Sequence, residues 1–174
     1  MRKHSGMKPQ DIVILLKIIV LGEQSWRQFD IANSLYISTF EVSNSLQRCV
    51  FAQLIDETKK NVFRKSIFEF LVYGLKYVYP VRPEGLVKGI PTAHSAPPLS
   101  SMIISKSEAY VWLDVEGTFN GQGIEPLYPN APKAAKQDPK LYELLSLIDA
   151  LRVGKVREQN LAAGELKKRI EYGE

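Results

Sequence analysis

Hydrophobic residues recur at helical spacing in several parts of the chain and predict its helices. Residues 9–22 are apolar on almost every side, with Pro9 in the first turn and Gly22 at the end. These features predict a buried helix at the centre of the core or in a subunit interface. The apolar run is about half as long as a segment that crosses a bilayer, so we expect no membrane span.

Two shorter amphipathic helices are predicted next, between Ser25 and Ile55. The apolar face of the first consists of Phe29, Ile31, Ala32 and Leu35, and that of the second of Val42, Leu46, Cys49 and Val50. Ser25 is the expected N-cap of the first helix. Ser38 is the expected N-cap of the second, with Glu41 as its capping-box partner. A connection of about three residues between such helices is typical of a helix-turn-helix.

The last part of the chain predicts a helical hairpin. Pro139 opens its first helix and Gly154 ends it. The apolar stripe of that helix is Leu141, Leu144, Leu145, Ile148 and Leu151, and a second helix from Val156 carries Leu161, Leu166 and Ile170. Another helical face, before the middle of the chain, comprises Ile67, Phe70, Leu71, Gly74, Leu75 and Val78. The hairpin is suited to packing on the rest of the chain or to forming a homodimer.

The middle of the chain has a different character, because nine of its ten prolines lie between Pro80 and Pro139. Long helices are not expected there, and an extended arm is expected. Residues 102–104 and 109–113 are predicted as short strands, and residues 86–93 and 123–129 as extended segments. A small β-hairpin is expected around Gly117.

Residues 11–55 resemble the DNA-binding core of bacterial and archaeal winged helix-turn-helix transcription regulators, broadly of the MarR type. Residues 29–35, 37–46 and 52–55 carry the resemblance. It implies a three-helix fold whose second motif helix enters the major groove. Two features depart from the family. Tyr36 fills a turn position where glycine is usual, and the wing is reduced to the polar loop 56–61.

These patterns predict a mainly α, α+β protein with three segments. Residues 8–79 are expected to form a winged-helix-like three-helix core with a reduced wing. Residues 80–138 are expected to form the Pro/Gly-rich arm with short strands, and residues 139–172 the C-terminal helical hairpin.

Positive charge is concentrated in the first segment. Residues 1–79 contain 11 Lys and Arg against 7 Asp and Glu, a balance of +4 that equals that of the whole chain. This is the sign required to approach phosphates, although a solvated surface without a polyanionic partner shows the same balance.

Helical phase indicates which side chains would meet DNA. The residues expected to point outward from the second motif helix are Thr39, Phe40, Ser43, Asn44, Gln47 and Arg48. Asn and Gln pair with adenine, Arg with guanine or phosphate, and Phe40 could contact a thymine methyl or a protein. The expected phosphate contacts are Lys59, Lys60, Arg64, Lys65 and, from the first motif helix, Arg27. Any solvated helix also shows Ser, Asn and Gln outside, so this pattern alone leaves both readings open.

The sequence contains few candidates for catalytic or metal-binding residues. His94 has Ser95 and Ser100 nearby but no carboxylate that completes a triad, and Asp114 and Glu116 have no partner that makes them an acid/base pair. Two histidines and one cysteine do not suggest a zinc site. We therefore expect no catalytic residue, no metal and no cofactor.

The cysteine content and the N-terminal sequence indicate the cellular compartment. The single cysteine cannot form an internal disulfide, and no small-residue cleavage site follows the apolar run after the basic N-terminus. A cytoplasmic protein is expected, with Cys49 as an inert core residue.

The sequence thus favours a cytoplasmic, homodimeric transcription regulator that binds double-stranded DNA. The alternative is a winged-helix protein-interaction module, such as an antitoxin-like neutraliser or an assembly subunit. That module would bind a protein partner through the 86–129 arm.

Overall fold

A computed structural model describes residues 6–104 and 109–173. The described residues are mainly helical and contain a small three-stranded sheet, so the α+β expectation is confirmed. The elements are α1 (Pro9–Leu21), α2 (Gln28–Leu35), α3 (Thr39–Phe51), α4 (Arg64–Tyr73), α5 (Leu75–Val78), β1 (Leu86–Thr92), β2 (Tyr110–Leu113), β3 (Phe119–Gly123), α6 (Ala131–Ala135), α7 (Pro139–Val153) and α8 (Val156–Lys167), which continues as a π-helical turn (Lys168–Tyr172). None of the helices in the described ranges is long and apolar enough to span a membrane.

The helix α1 lies at the centre of the molecule, as its apolar surface predicts. Its fully or almost fully buried apolar side chains are Ile12, Val13, Ile14, Leu15, Leu16, Ile18 and Ile19. It packs against α2 and α3 on one side and against α7 on another. Lys17, the one cation in this helix, donates from Nζ to the Asp138 carboxylate at 2.6 Å. Asp138 is the N-cap residue of α7, so this contact joins the first helix to the start of the C-terminal pair.

The start of α2 differs from expectation. Arg27, not Ser25, is the N-cap residue, and its backbone N–H donates to the Asp30 carboxylate at 2.8 Å. An acidic residue at the third helical position satisfies the cap from inside the helix, which moves the helix start two residues beyond Ser25. The N-cap of α3 is confirmed, because the Ser38 hydroxyl accepts a hydrogen bond from the Glu41 backbone N–H at 3.1 Å. The capping-box role expected of the Glu41 side chain is wrong, because its carboxylate accepts from the Gln10 side-chain amide of α1.

The sheet corrects two predictions. Residues 102–104 follow a 3₁₀ turn (Leu99–Ser101) and form no strand. The strands on either side of Gly117 do not form a hairpin with each other. Both pair antiparallel with β1, where β3 takes residues 86–89 and β2 takes residues 89–92, and they pair parallel with each other.

Two glycines explain this arrangement. A Cβ on Gly117 would lie 2.5 Å from backbone atoms of Gly89, and a Cβ on Gly89 would lie 1.9 Å from the Trp112 carbonyl oxygen. The turn after β2 therefore folds directly over the middle of β1, a close approach that only glycine permits. The local turn signal at Gly117 was correct, but the partner of both strands is β1.

The C-terminal helices form the predicted hairpin, and α7 is buried along most of its length. One hydrophobic cluster includes side chains from all three predicted segments, among them Ile14, Trp112 and Leu144. The buried Asp149 carboxylate of α7 accepts hydrogen bonds from Thr92 in β1 at 2.9 Å, Trp112 in β2 at 2.7 Å and Arg152 at 2.8 Å. This carboxylate attaches the sheet to the helical core.

Candidate nucleic-acid interface

The connection between α2 and α3 is tight, and Tyr36 adopts a left-handed conformation in it, with φ 55° and ψ 43°. Such a conformation is unfavourable for a bulky residue and persists where the surroundings hold it in place. The surroundings here come from the residues around α6. The Asn130 side-chain amide donates to the Tyr36 carbonyl oxygen at 2.8 Å, and the Lys133 ammonium lies 3.9 Å from the Tyr36 ring centroid. Tyr128 adds a hydrogen bond from its hydroxyl to the Leu35 carbonyl oxygen at 3.1 Å.

The outward face of α3 carries most of the residues that we expected there. Thr39, Phe40 and Gln47 are exposed, and Ser43 and Asn44 are partly exposed. The inward face, including Val42, Leu46 and Cys49, is fully buried against the core. Since α3 packs on α1 and α2 through this inward face, its polar side is presented to solvent.

Arg48 is an exception, and its predicted outward position is wrong. Its side chain is only 10% exposed, and it forms a bidentate ion pair with Asp11 of α1. Nε donates to Oδ2 at 2.8 Å and Nη2 to Oδ1 at 2.6 Å. These hydrogen bonds raise the pKa of Arg48 above its ordinary value. Arg48 is three positions after the buried Ser45, at the edge of the inward face, and the carboxylate of α1 draws it inside.

The loop after α3 is short and well braced. Ile55 and Val62 form an antiparallel bridge, and residues 56–61 connect them. The Asp56 carboxylate accepts hydrogen bonds from the Asn61 side chain at 2.7 Å, the Thr58 hydroxyl at 2.7 Å and the backbone N–H groups of Lys60 and Asn61 at 3.0 and 3.1 Å. These bonds, chiefly that from the Asn61 side chain, hold the pKa of Asp56 well below its usual range. The loop is thus held in one shape by an ionised carboxylate.

The cations expected to touch phosphates have different surroundings. The Lys60 ammonium donates to the Trp26 carbonyl oxygen at 2.8 Å and lies 3.5 Å from the centroid of the Trp26 ring. This contact fixes the loop beside Arg27, which is exposed at the start of α2. Lys65 is exposed and Lys59 partly exposed. Arg64 instead donates to the Ile170 carbonyl oxygen at 2.7 Å, so its guanidinium is engaged by the C-terminal turn.

The other groups considered for chemistry lie away from this face. His94 and Glu158 are buried together, with Nδ1 and Oε2 3.7 Å apart, and Asp114 and Glu116 both face the Lys136 ammonium, at 2.7 and 3.5 Å. Within residues 6–104 and 109–173, no group of His, Cys, Asp and Glu is placed to hold a metal ion. Burial raises the pKa of the Cys49 thiol to about 12, so the nucleophilic thiolate is scarce at neutral pH.

Three residues important to this face were not identified from the sequence. Asp11 removes Arg48 from the surface, Trp26 anchors Lys60, and Phe51, which is 68% exposed, extends the outward face at the end of α3. Asp11 gave one signal, because a lone carboxylate beside an apolar run needs a buried partner. No local sequence feature indicated the contact between Trp26 and Lys60, since these residues are 34 positions apart.

No family model, curated protein or solved structure matches this chain. The geometry of α3 and its neighbouring loop therefore provides the basis for a functional proposal.

Proposed function

We propose that this protein is a cytoplasmic DNA-binding transcription regulator with a winged-helix-like three-helix core. In this proposal α3 enters the major groove of DNA, and the reduced wing, residues 56–61, lies along the DNA phosphate backbone. The observation that carries the proposal is the exposed polar face of α3, next to a braced loop that bears two lysines. Homodimer formation, which would place two such helices on a duplex, stays a prediction.

The dimensions and chemistry of α3 suit a groove. Its 13 residues form a helix about 20 Å long at 1.5 Å per residue, and a major groove about 12 Å wide admits such a helix. Asn44 and Gln47 offer amide groups for base edges, and Thr39 and Ser43 offer hydroxyl groups for bases or phosphates. The helix N-terminus, capped by Ser38, is the end that contacts base edges in helix-turn-helix proteins.

The charges near α3 suit phosphates. Arg27, Lys59, Lys60 and Lys65 all belong to the segment that holds the positive excess. The hydrogen bonds of Asp56 hold the loop in shape before it contacts DNA. The loop therefore loses little backbone conformational entropy when its lysines contact the DNA phosphates.

An electrophoretic mobility shift on upstream DNA, repeated over a salt series, tests this proposal. The Lys59→Glu/Lys65→Glu pair changes two cations without disturbing the Lys60–Trp26 brace. We expect it to weaken binding to every duplex at least tenfold and to reduce the salt slope by about two, because each phosphate contact contributes about 0.9 to that slope. The Asn44→Ala/Gln47→Ala pair should mainly erode sequence preference.

The matched control is Lys140→Glu/Lys167→Glu, which changes the net charge equally at two exposed positions on α7 and α8. This control should leave the salt slope close to that of the wild type. A wild-type protein that shifts no duplex at low salt would contradict the proposed function. Equal losses in the two charge pairs would show that net charge, not the positions of Lys59 and Lys65, governs binding.

A second candidate is a protein-interaction module that uses the 86–129 arm. The supporting observation is a set of exposed apolar side chains beside the middle of β1, where β2 ends and β3 begins. Leu113 and Phe119 flank Gly89 on the same face and are 67% and 50% exposed, and Val115 in the turn between them is 91% exposed. Apolar groups gathered at a surface in this way are typical of contact sites.

A photo-crosslinking amino acid at position 113 tests this second candidate in the producing cells. Position 156, where Val156 is also exposed, is the control. We expect one discrete crosslinked product from position 113 that position 156 does not form and that Phe119→Ser abolishes. The same products from both positions would refute a specific protein contact at the sheet.

A further inference from the structure

The outward face of α3 carries no cationic side chain. Arg48 is the one Lys or Arg in the helix, and both of its donor positions facing Asp11 are occupied inside the protein at 2.8 and 2.6 Å. The commonest specific contact in the major groove is a bidentate one from Arg or Lys to O6 and N7 of guanine. The ion pair with Asp11 therefore removes the guanine-reading group from this helix.

The one group in α3 that suits cytosine is engaged by α1 through its Oε2 atom. Cytosine presents an N4 amino donor in the major groove, and a carboxylate is the side chain that accepts from it. Glu41 is the one carboxylate in α3, and it accepts from the Gln10 side-chain amide at 2.9 Å and lies 3.8 Å from the Lys8 ammonium. Both contacts hold Glu41 toward the start of α1.

The amide and apolar groups that remain on the outward face match adenine and thymine, and the Thr39 and Ser43 hydroxyl groups suit any base. The side-chain amides of Asn44 and Gln47 each combine one donor and one acceptor, which is the complement of N7 and the N6 amino group of adenine. Phe40 is 73% exposed and apolar, as a contact with the C5-methyl group of thymine requires. Phe40, Asn44 and Gln47 follow one another at intervals of four and three residues, so they lie along one stripe of the helix.

We propose that α3 selects A·T base pairs in the major groove and does not select G·C pairs. This inference depends on the proposed DNA-binding function and specifies the substrate of that same face. Asn44 and Gln47 read adenine, and Phe40 reads thymine. Arg27, Lys59 and Lys65 lie outside α3 and contact the DNA phosphate backbone, which carries no base preference.

Selection from a randomised duplex library, followed by affinity measurement on the enriched sites, tests the inference. We expect A·T pairs at the central selected positions, with a loss of roughly 5- to 150-fold for each replacement by G·C, the discrimination of a good bidentate contact. Replacing thymine by uracil in the enriched site removes only the methyl group. That replacement should weaken binding of the wild type and should have no effect on Phe40→Ala.

Gln47→Arg restores a guanidinium to the outward face and should shift the preference at one position from adenine to guanine. Asn160→Arg adds the same charge at an exposed position on α8 and should leave the selected sequence unchanged. Binding of duplexes without base preference, or with a G·C preference in the wild type, would overturn this inference and leave the proposed function intact. If the wild-type protein binds no duplex of the library at low salt, the proposed function itself is overturned.

Discussion

Asp11→Ala is expected to lower the free energy of unfolding by about 3–5 kcal/mol, because it leaves the Arg48 guanidinium buried without its partner. The pair is almost inaccessible to solvent, with side-chain exposures of 0% for Asp11 and 10% for Arg48. Stabilities of whole domains are about 5–15 kcal/mol, so the loss is a large part of the total. Denaturant unfolding followed by circular dichroism measures it.

Asp30→Ala is the matched control for this prediction. Asp11 and Asp30 occupy the same helical position, and each accepts a hydrogen bond from the backbone N–H of its N-cap residue at 2.8 Å. Asp30 is exposed and its contact with Arg27 is long, at 3.5 Å. The control therefore loses the cap without leaving a buried charge, and its effect should be much smaller.

The double variant Asp11→Leu/Arg48→Met separates the ion pair from the packing. Replacing both partners by apolar residues leaves no uncompensated charge, so the double variant should recover most of the stability that either single variant loses. If the double variant loses as much stability as Asp11→Leu and Arg48→Met lose in sum, the two side chains act independently, which contradicts the assigned role of the pair.

Asp149→Ala should destabilise the protein by a comparable amount and should also loosen the sheet selectively. The carboxylate accepts from two different strands, and the change leaves the Arg152 side chain, which is 5% exposed, without its charge partner. Hydrogen exchange followed by mass spectrometry should show faster exchange in peptides from residues 86–92 and 110–123 than in peptides from α1.

A milder variant at the same site tests whether Asp149 attaches the sheet to the helical core. Thr92→Val removes one of the three donors and should cost about 1.5–3 kcal/mol, the usual net contribution of a hydrogen bond to a charged group. Its exchange pattern should be milder than that of Asp149→Ala but confined to the same strands. If Asp149→Ala accelerates exchange equally in α1 and in the sheet, this carboxylate supports the whole core and does not attach the sheet specifically.

The long helices were predictable because their signals are local. Pro9 and Gly22 mark the ends of α1, and Ser38 supplies the N-cap of α3. The apolar periodicity of residues 141–151 identifies α7 without knowledge of its neighbours. Each of these signals lies within the element that it defines.

The errors arose where a distant partner or a competing local one decides the outcome. Gly117 marks a turn, but β1 provides a better partner for both flanking strands than they provide for each other. The Asp30 carboxylate starts α2 at Arg27 despite the nearby Ser25. Arg48 lies at the edge of a helical face, where periodicity is ambiguous, and a carboxylate 37 residues away decides its direction.

The candidate interface was therefore predicted in outline and not in detail. Helical phase correctly placed Thr39, Phe40 and Gln47 on the surface, since that information is contained in α3 itself. It could not show that the helix loses its cation or that Lys60 is anchored on Trp26. Both facts depend on tertiary contacts, and both change which chemistry the face can perform.

Two of the contacts that hold the Tyr36 turn come from residues that are made much later in synthesis. Tyr128 and Asn130, which donate to the carbonyl groups of Leu35 and Tyr36, follow those residues by 93 and 94 positions. A chain that leaves the ribosome with its N-terminus first presents α2 and α3 before either donor has been made. The backbone hydrogen bonds of the turn, from Tyr36 to Asn33 and from Ile37 to Ala32, are local, but the two side-chain contacts can form only when translation has passed residue 130. A nascent chain that ends earlier carries the helix pair without the contacts that hold it in its final shape.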